Sequence, residues 1–305
     1  MTWMIKMKRS CYLFGLMLCM QHLSASADVA NDSQSGFVNL PAIGNTNSAY
    51  VLCDTSTNFG LSEKNASNSN QSSLGQCAVS DDKLADSPMN APIDGFTLVG
   101  IISRGVPIPE PYAAAGGEEF ATLTDTVWHN NDTKECIFGT HILMKDQTLA
   151  NGKRWEINDI TRGGFAGRPV AIAYFMKPKP SKDYGMPEAL FRAGRTYTSV
   201  PYDKNRLTLP ALQDAPAPTK AISKNQSAAM NENWVDFTTD ISFDDADGVT
   251  KKMTSMLYIK TTCEQRQPEE KEGAIRLRTT GGNGQDWLEV EVPGLVPFGA
   301  TIERY

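Results

Sequence analysis

Histidine is scarce in this chain, and the motifs of common enzymes are missing. His22, His129 and His141 are its only imidazoles, so arrangements that need two or three of them have few places to form. No Walker sequence, no G-x-S-x-G elbow and no H-E-x-x-H pair occurs. Gly163-Gly164-Phe165-Ala166-Gly167-Arg168 comes nearest to a phosphate loop. Its spacing is not G-x-G-x-x-G, and no helical pattern follows to supply an N-terminus, so a glycine turn between strands accounts for it. Positive charge is also short, with 29 Lys and Arg against 35 Asp and Glu. That balance argues against nucleic acid or anionic lipid as a partner. No apolar run after residue 20 reaches the roughly 20 residues of a transmembrane helix. Helical periodicity is weak throughout; Lys220 to Asn233 has Ala and Met at helical spacings but is largely polar. No motif calls for a cofactor.

The first 27 residues carry the clearest positive signal. Lys6, Lys8 and Arg9 form a basic start, Cys11 to Met20 is an unbroken apolar run, and Ala25-Ser26-Ala27 places small residues before Asp28. This is the pattern of a cleavable signal peptide, with a core too short for a permanent span. A lipid-attachment cysteine is excluded at Cys19 because bulky Leu18 precedes it. Cleavage removes three cations and no acid, taking the net charge from −6 to −9. The expected location is periplasmic or extracellular.

Four cysteines then remain: Cys53, Cys77, Cys136 and Cys263. An even number in an exported chain points to two disulfides, with three connectivities possible. Chain order favours a local Cys53–Cys77 clip and a long-range Cys136–Cys263 bridge, worth about 3 and about 5 kcal/mol in the loop-entropy picture.

Residues 28–93 are rich in Ser and Asn, extreme at 65–73, and hold only a few short strand signals. From residue 94 to 305 the pattern changes to short apolar runs rich in Val, Ile, Thr and aromatics, separated by Gly, Pro, Asn and Asp. Antiparallel sheets in an all-β, sandwich-like fold follow from that spacing. The Pro/Ala-rich stretch at 210–221 is a possible internal boundary. Two hairpins are expected: Thr122 to Trp128 with Cys136 to Met144, and Trp234 to Phe243 with Met253 to Thr262 across an Asp-Gly turn. Thr196 to Val200 reads as a further strand.

Each candidate site has a plainer structural reading beside it. Glu156 and Asp159, flanking Trp155, are the carboxylates to inspect for glycoside hydrolysis, whose definition is a spacing in space rather than in sequence. Asp240, Asp244, Asp245 and Asp247 gather hard oxygens for calcium, but Phe243 takes the first ligand position of the loop pattern and no Glu closes it; a turn explains the same residues. His129, Cys136 and His141 are zinc-ligand types at a spacing that fits no closed site, with His129 expected in a solvated turn. Trp128, Trp155, Trp234 and Trp287 could form a sugar platform or simply fill a core. The sequence thus favours a non-enzymatic binding or envelope-associated protein with an unidentified protein or glycan partner. A carbohydrate hydrolase and a calcium-stabilised adhesin-like module are the alternatives.

Overall fold

The computed structural model describes residues 36–41, 49–53, 77–79, 84, 89–113, 118–175, 190–198, 230–244, 251–279 and 288–303. The leader, the tract at 65–73, the connector at 210–221, Asp245, Asp247, Trp287 and most of the 220–233 segment lie outside these residues.

Two antiparallel sheets pack face to face. One holds β1 (Val38–Asn39), β8 (Val170–Phe175), β11 (Met256–Thr262), β6 (Glu135–Met144), β5 (Glu119–Asn130) and β4 (Thr97–Pro107), in that spatial order. Short β3 (Ala78–Val79) joins it parallel to β8. The other runs β13 (Glu289–Val296), β12 (Glu269–Arg278), β7 (Glu156–Arg162), β10 (Val235–Ser242), β9 (Arg192–Gly194) and β2 (Tyr50–Leu52). The order arises from alternation. In β12, Ile275 and Leu277 face the core while Arg276 and Arg278 face away. In β13, Val290 and Val292 alternate with Glu289 and Glu291. Side chains of a strand point to opposite faces in turn, so each strand gives its apolar set to the shared interior. Phe138, Ile142, Ile172 and Ile259 meet it from the seven-stranded sheet.

The seven-stranded sheet has a second apolar layer on its outer face. Phe37, Val79 and Leu84 from the N-terminal segment cover Trp128, Ile137, Ala173 and Tyr258. The Cys53–Cys77 disulfide, Cα–Cα 5.1 Å, ties the end of β2 in one sheet to the start of β3 in the other. Cys136–Cys263, Cα–Cα 5.5 Å, links neighbouring β6 and the end of β11.

A buried ion pair crosses the sandwich. Arg162 on β7 donates to both Asp125 oxygens on β5, at 2.8 and 3.3 Å, to Thr140 Oγ1 at 2.6 Å and to the Leu295 carbonyl at 2.6 Å. The Leu295 N–H returns to Asp125 Oδ2 at 2.6 Å. Burial pushes the Asp125 carboxyl above its ordinary range, while Arg162 and the Leu295 N–H pull it back.

Two sequence expectations fail. The β5–β6 hairpin forms, its turn held by Asn130 Oδ1 accepting from the Asp132 and Thr133 N–H groups. The second hairpin does not: β10 pairs with β7 and β9, whereas β11 pairs with β6 and β8 in the opposite sheet. An Asp-Gly step favours a reversal but does not choose the sheet to which the next strand returns. Of the expected strand at 196–200, Thr196 and Tyr197 lie in bends and Thr198 is irregular, with β9 just before them and residues 199–200 outside the described residues. Tertiary contacts of Tyr197 and Thr198 account for this.

Candidate functional site

Most outward side chains of the six-stranded sheet are polar or charged yet buried, with Glu291 exposed at the rim. Cross-strand register arranges them in two rows. One runs Glu291, Arg276, Thr161, Asp236, Gly194, Tyr50; the other runs Glu289, Arg278, Asp159, Thr238, Arg192. Residues directly opposite on neighbouring strands are the pairs that interact, and here sign alternates along each row. Arg278 Nε donates to Glu289 at 2.6 Å, and its Nη1 reaches Asp159 at 3.3 Å, Thr161 at 2.7 Å and the Tyr197 carbonyl at 2.8 Å. Arg276 donates to Glu289 and Glu291, both at 2.7 Å. Burial opposes the Arg278 charge, but Glu289 and Asp159 hold its pKa well above the ordinary guanidinium value. Burial likewise pushes the Tyr197 hydroxyl up.

The irregular segment at 195–198 covers part of these rows. Tyr197 lies edge-on to Trp234, centroids 5.0 Å apart, with the Arg278 guanidinium 4.3 Å from the Tyr197 ring centre. Thr198 Oγ1 donates to Asp159 Oδ2 at 2.5 Å. A strand at 196–198 would forfeit those contacts. Across the rows, Arg192, Arg276 and Arg278 are matched by Asp159, Asp236 and Glu289, all six buried. A site built for an anion or a cation would leave charge of the other sign unmatched. This one is balanced.

The residues singled out from sequence disperse. Glu156 accepts from the Asn158 amide at 2.5 Å, and the same amide reaches Asp240 at 3.1 Å. Asp159, three residues away, belongs to the Arg278 network instead, so the two proposed carboxylates sit in different hydrogen-bonded groups. The Asp244 carbonyl accepts from Ser242. Among the described residues, no three His, Cys, Asp or Glu side chains gather as a metal site. His129 is not a solvated turn residue: it is buried near the end of β5, with Nδ1 3.1 Å from Asn131 Oδ1 and Nε2 3.3 Å from the Cys263 carbonyl. His141 stands on β6, and Cys136 is disulfide-bonded. Trp128, Trp155 and Trp234 are buried, so they fill the fold and form no exposed platform.

What sequence reasoning missed is an edge. β4 is paired only with β5, and its other side lacks a strand partner among the described residues. An unpaired strand edge presents a row of N–H and C=O groups ready to accept another strand. A bulge lies between Leu98 and Gly100, where Leu98 opposes Trp128, Gly100 opposes Val127 and Ile101 opposes Thr126. The extra residue, Val99, turns Leu98 and Ile101 to the same face. They are 44% and 46% exposed. Such edges are commonly guarded by inward charges or covering loops. The one charge within β4, Arg104, is committed to Glu270 at 2.7 Å. The signal was present as the apolar run at Phe96 to Ser103, but position within a sheet cannot be read from one strand's composition.

No known protein family, curated protein or solved structure matches the chain.

Proposed function

We propose that this is an exported, non-enzymatic protein that binds a protein partner through the β4 edge. The open edge with Leu98 and Ile101 exposed carries the reading. Export is supported by the leader pattern and by two disulfides, and no described helix is long and apolar enough to cross a membrane. Against a hydrolase, Asp159 is enclosed by Arg278 and Thr198 and is poorly placed to exchange a proton with substrate.

The test is co-purification from the exporting host of wild type, a Leu98→Lys/Ile101→Lys double variant and Asp159→Asn. The wild type should retain a stoichiometric protein partner that the edge variant loses at unchanged melting temperature. Polysaccharide hydrolysis by the wild type that disappears in Asp159→Asn would reverse the assignment.

A further inference from the structure

The surroundings of β4 narrow the identity of its occupant, an inference that rests on the edge reading above. Glu110 and Glu118 stand exposed beside the C-terminal end of β4, and Glu272 lies exposed on β12 of the other sheet, two residues beyond the Glu270 that pairs with Arg104. Among the described residues none of the three has an ion-pair partner. The nearby cations are already engaged: Arg104 with Glu270, Lys271 with Glu269, and Lys145 with Glu119. The turn before β12 carries Glu264 with Arg266 and is neutral. The edge therefore offers backbone hydrogen-bonding groups and two apolar side chains within an acidic rim.

A second copy of the chain is the wrong occupant. β4–β4 pairing would bring together two molecules of net charge −9 after leader removal, with no cation of either edge left free to offset it. We infer that β4 takes an extended segment of a cationic protein, with Val, Ile or Thr at alternate positions and Lys or Arg at the end that meets the C-terminal end of β4. Main-chain pairing would supply affinity and alternate side chains specificity, as in strand addition generally. That basic end would meet Glu110, Glu118 and Glu272, setting orientation and association rate.

The probe is a synthetic decapeptide of alternating Val and Thr with two lysines at each end, compared with the same peptide carrying glutamates. Binding is read by fluorescence anisotropy and by protection of β4 amides from exchange. The Lys-flanked peptide should bind at least about tenfold more tightly than the Glu-flanked one. Its affinity should fall by a similar factor when salt rises from about 0.05 to about 0.5 M. Both effects should vanish in Leu98→Lys/Ile101→Lys, whose melting temperature reports that the fold is intact. Equal binding of both peptides at β4 would overturn the cationic occupant and leave the edge reading standing. Absence of any β4 protection would overturn this inference and count against the edge reading too. A dimer formed through β4 by the protein alone, seen by sedimentation, would overturn the cationic occupant in favour of a second copy.

Discussion

At the scale of single residues, the fold depends on charges placed where water cannot reach them. Removing one member of a buried pair strands the other, which typically costs about 3–5 kcal/mol. Arg278→Met should therefore lower the denaturation free energy by that order, because Asp159 and Glu289 remain buried. Arg154→Ala, which breaks an exposed pair with Asp146, should cost less than about 1 kcal/mol. Chemical denaturation of the two variants checks the contrast. His141 adds a pH dependence. Desolvation lowers its pKa from the ordinary value to about 4, so the native state resists protonation that the unfolded chain accepts. Its stabilising contribution is full above about pH 6.5 and is lost as pH falls towards about 4, by at most about 3 kcal/mol. His141→Gln should flatten the melting-temperature profile between those limits relative to wild type.

Little of this was visible in the sequence. Arg276, Arg278 and Glu289 alternate with apolar residues as a solvated strand face would, and the sequence gives no sign that Tyr197 and Trp234 pack against the two arginines. The same ambiguity put Asp159 forward as an acid–base candidate: a carboxylate near Trp155 looks alike whether an arginine five strands later in the chain neutralises it or not.

At the scale of elements, apolar alternation predicted most strands, and a compact polar loop predicted the β5–β6 hairpin. The error at β10 and β11 has a clear cause. Both strands have the right pattern, but the choice between returning to the same sheet and crossing to the other is made by long-range pairing with β7 and β6. Glycine also specifies contacts that no propensity foretells. Gly36 has φ +78°, and a Cβ there would collide with the Ala78 carbonyl. Gly36→Ala should therefore loosen β1 and β3 from β8, costing about 1–3 kcal/mol. Faster amide exchange at Val38 and Val79, with β5 and β6 unchanged, is the expected result.

At the scale of the whole molecule, the polar N-terminal segment is part of the sandwich. It lays Phe37, Val79 and Leu84 over the outer sheet face and ties the two sheets through Cys53–Cys77. Composition showed that this segment could not fold alone; it could not show which face would receive it. Replacing Cys53 and Cys77 by Ser should lower stability by up to about 3 kcal/mol, and the Cys136/Cys263 pair by up to about 5 kcal/mol, the larger loop losing more. Both are read from urea midpoints. The central claim is that the molecule acts by lending the β4 edge to another chain. A benzophenone amino acid placed in turn at Leu98, Ile101 and Thr148, in cells that produce the full chain, tests it most directly. One discrete adduct to a different protein is expected from positions 98 and 101, and none from exposed Thr148. Equal, diffuse labelling from all three positions would contradict it.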